Sequence, residues 1–164
     1  IKPRFGRGSR NIHTITKHHQ IKDYLRLYDF KSKDIIVQEF IKGTEFTIFV
    51  GMNKNETPVK ILPFKICQKK GITISGEVNN NIRVINFVKN FCKYFKTGNS
   101  FNIQLIITKK SVYPIEVNPR ISTTFFITLL DSYDPFESSK NLNEKLETGK
   151  KKIKLRRYWK NIIN

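Results

Sequence analysis

Between Val84 and Phe95 the apolar side chains fall at Val84, Phe87, Val88, Phe91, Cys92 and Phe95, spaced i, i+3, i+4, i+7, i+8 and i+11. That is a single stripe at the helical period, and it predicts an amphipathic helix with one buried face. Ile21, Tyr24, Leu25 and Tyr28 follow the same rule and predict a shorter helix earlier in the chain. β-Branched and aromatic runs predict strands over Asp34–Phe40 (DIIVQEF) and Glu45–Val50 (EFTIFV), separated by a break at Lys42-Gly43-Thr44. Pro58–Gln68 is a third strand, ending at Lys69-Lys70-Gly71. Ser100–Thr108 and Val112–Asn118 form two more, joined at Lys109-Lys110-Ser111. Thr123–Leu130 is read as an apolar helix and Asp131–Gly149 as polar and irregular with one helical stretch. Lys152–Trp159 is read as a last strand. Hairpins mixed with helices predict an α+β domain built on an antiparallel sheet.

The hairpin of Ser100–Thr108 and Val112–Asn118 carries the most chemistry. Side chains alternate faces along a strand, so Asn102 and Gln104 share one face, as do Glu116 and Asn118. With a three-residue connection, antiparallel pairing sets Gln104 opposite Glu116 and Asn102 opposite Asn118. Ile103, Leu105, Ile107, Tyr113, Ile115 and Val117 then form an apolar core face. The opposite face gathers a carboxylate and amide oxygens within about 5 Å. Hard cations such as Mg²⁺ take oxygen ligands, typically one or two carboxylates with phosphate oxygens and water. A solvated polar strand surface has the same composition, but Pro119-Arg120 follows at once and adds a guanidinium suited to a phosphoryl group.

Composition narrows the function classes. Hydrophobic residues are 38% and aromatic residues 12% of the 164, enough for a folded core. No apolar run approaches the roughly 20 residues that span a bilayer. The formal charge of +18 suggests nucleic acid, but the cations are scattered apart from Lys150-Lys151-Lys152 and Arg156-Arg157. The absence of alanine beside abundant Lys, Ile and Asn indicates a compositional bias instead. A solvated basic surface is the preferred reading. Cys67 and Cys92 lie in no metal or redox motif, and Cys92 sits on the helix's apolar face, which suits a reducing, cytoplasmic setting. His13, His18 and His19 lack metal-site spacing and are read as surface residues.

Two further segments bear on the hairpin. Lys2-Pro3-Arg4-Phe5-Gly6-Arg7-Gly8-Ser9-Arg10 alternates glycines, whose backbone N–H groups can close on phosphate, with neutralising cations. Gln38-Glu39-Phe40-Ile41-Lys42-Gly43-Thr44-Glu45 turns at a glycine and resumes at an acidic residue able to accept hydrogen bonds from ribose. Together and in this order, the three segments resemble the ATP-grasp superfamily, in particular the carbamoyl phosphate synthetase large-subunit-like branch. KPRFGRGSR resembles its phosphate strand and loop, QEFIKGTEFTI its adenine hinge, and NIQLIITKKSVYPIEVNPRIST its metal motif.

The resemblance implies an ATP-grasp fold, an antiparallel sheet with packed helices, whose N-terminal region is missing before Ile1. It divides the chain into a phosphate-binding strand, loop and helix over 1–30, the hinge, sheet and metal site over 34–130, and a C-terminal extension over 131–164. It assigns Lys2, Gly6, Gly8 and Ser9 to the phosphates, Gln38, Glu39, Phe40 and Ile41 to adenine, and Glu45 to ribose. Gln104, Glu116 and Asn118 become ligands of Mg²⁺ or Mn²⁺, with Glu116 shared by two ions. Arg120 becomes the catalytic arginine that steadies the transferred phosphate. Gly71-Ile72-Thr73 falls where some members of the family carry Gly-Ile-His, so a histidine contact is missing there. The implied activity is an ATP-dependent ligase that activates a carboxylate as an acyl phosphate for an amine or other nucleophile. It has no membrane partner, and a missing N-terminal region or a partner chain completes it. The alternative is a truncated ATP-grasp module acting as a basic nucleic-acid-binding protein, which would not need the Gln104, Glu116, Asn118 and Arg120 set.

Overall fold

The computed structural model describes residues 1–6, 8–136 and 145–159. It divides into two compact units, Ile1–Ile41 and Lys42–Asn164.

In the first unit, β1 (Lys2–Pro3) pairs antiparallel with β2 (Ile35–Ile36), Lys2 opposite Ile36 and Pro3 opposite Ile35. Helix α1 (His19–Tyr28) turns Tyr24 inward against Ile1 and Ile35, with Ile21, Leu25, Tyr28 and Phe30 around them. The Tyr24 hydroxyl donates to the Asn11 carbonyl at 2.6 Å. The strand expected over Asp34–Phe40 is therefore only two residues long. Among the described residues the pairing ends at Ile36, and Val37 and Phe40 are exposed, so hydrophobic composition alone does not hold the segment extended in a ladder.

The second unit is a six-stranded antiparallel sheet. Its strands are β3 (Thr44–Met52), β4 (Pro58–Lys70), β5 (Ile72–Val78), β6 (Phe101–Ile107), β7 (Val112–Asn118) and β8 (Lys154–Arg156), ordered β7-β6-β3-β4-β5-β8. Helix α2 (Ile82–Tyr94) covers one face, burying Val84, Ile85, Val88 and Cys92 against Phe46, Ile48, Val50, Ile61, Phe101, Ile103 and Leu105. Asn81 starts it by accepting from the backbone N–H of Arg83 at 3.0 Å and Val84 at 3.4 Å. On the other face Phe49, Val59, Leu62 and Phe64 pack with Tyr133 and with Ile127 of the short helix α3 (Phe126–Leu130). No helix among the described residues is long and apolar enough to cross a membrane.

Three local expectations change. β4 runs on through Lys70 and reverses at Gly71, whose φ of 70° suits a residue without Cβ. It pairs there with β5, which the residue pattern does not reveal because Ser75-Gly76 interrupts ITISGEV. Gly76 is needed there, since a Cβ would come within 2.4 Å of the Phe64 ring. Finally, the β6–β7 pairing slips by one residue between Gln104 and Leu105. Val112 therefore joins the core in place of Tyr113, which pairs with Ile106 instead. Of the Asp131–Gly149 segment, in which one helical stretch is expected, residues 137–144 lie outside the described residues and the described remainder holds no helix.

A buried ion pair holds the last segment to the sheet. Lys60 and Asp131 are fully buried, with Lys60 Nζ 2.7 Å from Asp131 Oδ2 and 3.0 Å from the Thr148 carbonyl. Asp131 also accepts from the backbone N–H groups of Lys150 and Lys151, at 2.9 and 2.7 Å from Oδ1. Glu147, on the same segment, lies 3.6 Å from Lys60, and the hydrogen bond from Lys150 holds its carboxyl below the usual range.

The two cysteines differ as the helical stripe implies. Cys67 is exposed and Cys92 buried, with burial pushing the Cys92 thiol up to about 11. A thiol reagent at pH 8 should therefore titrate Cys67 promptly and Cys92 only after denaturation. Prompt reaction of both in the native protein would contradict the packing of α2.

Candidate functional site

The face of the sheet that carries Phe49 and Leu62 changes character along its strands. At one end it is apolar and covered by α3; at the other it presents Glu45 and Thr47 of β3, Lys69 of β4, Asn102 and Gln104 of β6, and Glu116 and Asn118 of β7. Pairing sets Thr47 opposite Gln104, Gln104 opposite Glu116, and Asn102 opposite Asn118. The last two are the pairs expected from the hairpin, reached through the slip that the three-residue connection does not foretell. The slip also accounts for Pro114. It cannot donate to a ladder, and it lies on an edge strand beside the irregularity.

The polar side chains form one continuous chain of hydrogen bonds. The Lys69 ammonium donates to Glu45 Oε1 and, at 3.2 Å, to Gln104 Oε1. Gln104 Nε2 donates to Glu116 Oε1 at 2.7 Å, and Asn118 Nδ2 donates to the same oxygen at 2.9 Å. Arg120 continues the line, its NH2 group 3.4 Å from Asn118 Oδ1 and its NH1 group donating to the Ile121 carbonyl. The guanidinium thus lies beside Asn118 and does not bond Glu116. At the boundary with the apolar end, Asn102 is 1% exposed and donates to Thr47 Oγ1 at 2.8 Å and to the Ile48 carbonyl at 3.0 Å. Its Oδ1 has no partner among the described residues.

Gln104, Glu116 and Asn118 supply one carboxylate and two amides. A half-turn of each amide would present its oxygen beside the carboxylate. The described residues contain no group of three or more His, Cys, Asp or Glu side chains suited to a metal. This donor set is too sparse to cage an ion by itself. It fits a hard cation that brings phosphate oxygens with it, as Mg²⁺ does.

The other predicted positions lie in the Ile1–Ile41 unit. Lys2 is half-buried on β1; Gly6, Gly8 and Ser9 are exposed, with Gly8 and Ser9 left-handed at φ 65° and 56°. Gln38, Glu39 and Phe40 are exposed and Ile41 half-buried. Among the described residues, the backbone of these four makes no hydrogen bond, leaving its polar groups open to a ligand. Lys69 is the member of the polar chain that the sequence pattern misses, because its lysine-rich surroundings read as a turn. The signal that could have found it is the run of strand-forming residues on both sides of Gly71.

Comparison with known proteins bears on the family and the fold. A family model described as the ATP-grasp domain matches residues 1–124. The tyramine–L-glutamate ligase of Methanocaldococcus jannaschii is 29% identical over 104 residues, 60% of this chain and 33% of that protein. The D-alanine–D-alanine ligase of Petrotoga mobilis is 29% identical over 134 residues, 72% of this chain and 45% of that protein. The chain thus spans less than half the length of either curated relative. Among solved structures, N5-carboxyaminoimidazole synthetase from Staphylococcus aureus, complexed with ADP, superposes with a TM-score of 0.67 at 14% identity. The match covers 89% of this chain and 42% of that one. A family match over three quarters of the sequence, with a shared fold, agrees with the three motifs in order: the chain belongs to the ATP-grasp family.

Proposed function

We propose that this chain is the Mg²⁺-ATP-binding part of a cytoplasmic ligase that activates a carboxylate as an acyl phosphate for capture by an amine or other nucleophile. The observation that carries the reading is the hydrogen-bonded line Glu45–Lys69–Gln104–Glu116–Asn118–Arg120 on one face of the sheet. It sets an acceptor suited to ribose hydroxyls at one end and oxygen ligands with a guanidinium at the other. Both curated relatives are ligases by name, one for tyramine and L-glutamate, the other for D-alanine with itself.

In this reading Lys2, Gly6, Gly8 and Ser9 hold phosphates, and the open backbone of Gln38–Ile41 meets adenine. Gln104 and Glu116 are ligands of one ion, Glu116 and Asn118 of a second, and bound Mg²⁺ or Mn²⁺ supplies neutralisation of the phosphate oxygens. Arg120 steadies the transferred phosphoryl group. A substrate carboxylate oxygen forms a bond to the γ-phosphorus as the bond to the bridging oxygen breaks and ADP leaves. The nucleophile then bonds to the acyl carbon, inorganic phosphate departs, and an amine loses its proton. No side chain of the chain has to act as nucleophile; positioning and charge neutralisation do the work. The carbamoyl phosphate synthetase-like branch is compatible with this motif order.

The test is release of phosphate and ADP by the full-length protein over a panel of carboxylic acids and amines. Turnover that requires one acid and one amine supports the reading, and its absence together with no ATP binding overturns it. A second measurement bears on Glu45. Glu45→Ala should weaken ATP binding by about 1–3 kcal/mol through loss of charge-assisted hydrogen bonds, while inorganic triphosphate binds as before. Equal weakening of both ligands would remove Glu45 from the ribose position.

A further inference from the structure

We propose that Lys69 is a phosphate-binding cation of this site, exchanging its partner Glu45 for the phosphates of a bound nucleotide. The inference rests on the reading above, in which Glu45 faces ribose and Gln104 faces the metal. The Lys69 ammonium bonds both of them, at Glu45 Oε1 and at 3.2 Å from Gln104 Oε1. A ligand that runs from the first to the second must pass this ammonium, and in a nucleotide the part that does so is the phosphate chain.

The local structure leaves the head group free to make the exchange. Lys69 follows two irregularities in the β4–β5 pairing, at Ile66/Gln68 and Gln68/Lys69, and its side chain is 29% exposed. The long stem can carry the ammonium a few ångströms without moving the strand. Glu45 is likewise only partly buried, so the ion pair between them contributes little and is cheaply released. A bond to phosphate is charge-assisted like the pair it replaces, and the phosphate chain brings more negative charge to the ammonium than one carboxylate does. Release also serves Glu45, since its carboxylate is then open to hydroxyl donors. Lys69 stands directly opposite Thr73 across the β4–β5 hairpin.

Inorganic triphosphate, measured by calorimetry in EDTA on the full-length protein, separates this role from its rival. If Lys69 merely holds Glu45 in place for ribose, Lys69→Met weakens ATP but leaves triphosphate unchanged, as Glu45→Ala should. If Lys69 meets phosphate, Lys69→Met weakens ATP and triphosphate alike, by about tenfold or more. Lys69→Arg, which keeps the charge, should restore most of the loss. Lys70→Met reports the general basic field and should change triphosphate binding by less than about twofold. Triphosphate affinity in Lys69→Met equal to that of the parent overturns the proposal, and so does an equal loss in Lys70→Met. If the parent protein binds ATP while Lys69→Met binds it as tightly, only this inference fails. If the parent binds neither ATP nor triphosphate, the nucleotide reading falls and takes it along.

Discussion

Glu116→Gln should cost Mg²⁺-dependent ATP binding at least about 100-fold, or about 2.7 kcal/mol, with the fold intact. Glu116 is the one carboxylate in the Gln104, Glu116 and Asn118 set, and both amides point their N–H groups at its Oε1. An amide in its place keeps an oxygen that can accept those bonds, so β6 and β7 lose little. It carries no charge, however, and a divalent ion held through phosphate and two or three neutral oxygens is poorly compensated. The side chain is exposed on an edge strand, where substitutions usually change stability by less than about 0.5 kcal/mol. Calorimetry of ATP with Mg²⁺ and with EDTA, beside a thermal melt, separates the effects. An unchanged Mg²⁺-ATP affinity with a normal melt would falsify the metal site.

Asp131→Ala should be the most destabilising single change outside the core strands, by about 3–5 kcal/mol. It leaves the Lys60 ammonium fully buried without its counter-charge and strips the acceptor from the Lys150 and Lys151 backbone N–H groups. Glu147 at 3.6 Å cannot take over, because it is partly exposed and already bonded to Lys150. In a chain of this size the loss corresponds to a fall in Tm of about 10 °C. Lys60→Met in the same background should recover part of it by removing the uncompensated charge, although the two N–H groups stay unsatisfied. A Tm within about 2 °C of the parent for Asp131→Ala would mean that the pair is not closed in solution.

These two sites also mark what the sequence makes legible. Gln104, Glu116 and Asn118 lie on neighbouring strands joined by a short loop, so period and loop length foretell their pairs, although the fold reaches them through a one-residue slip that neither reveals. The stripe from Val84 to Phe95 is equally local, and α2 follows it. Lys60 and Asp131 are 71 residues apart, and nothing near either one advertises a partner. Long-range pairing of that kind is decided by the tertiary fold. The same holds for Val37–Phe40, where Val37 and Phe40 suit a strand but no strand among the described residues pairs with them. β5 was hidden for the opposite reason. Its Gly76 looks like a break in sequence, yet it is what lets the strand pack under Phe64. Lys69 combines both difficulties, sitting past two pairing irregularities and meeting Glu45 and Gln104 from other strands.

The two outer strands of the sheet have a consequence for self-association. A sheet rich in Ile, Val and Phe with open edges is a template for edge-to-edge growth. Here one edge is β8, three residues long, with Lys154 and Arg156 exposed on either side of Leu155. The other is β7, where Pro114 withholds a donor and the one-residue slip beside it bends the ladder. A second copy docking at either edge would meet like charge on a protein of net +18, or a strand that cannot complete the pairing. The proline and slip that bring Glu116 opposite Gln104 thus also guard the site's own edge against fibre-like stacking.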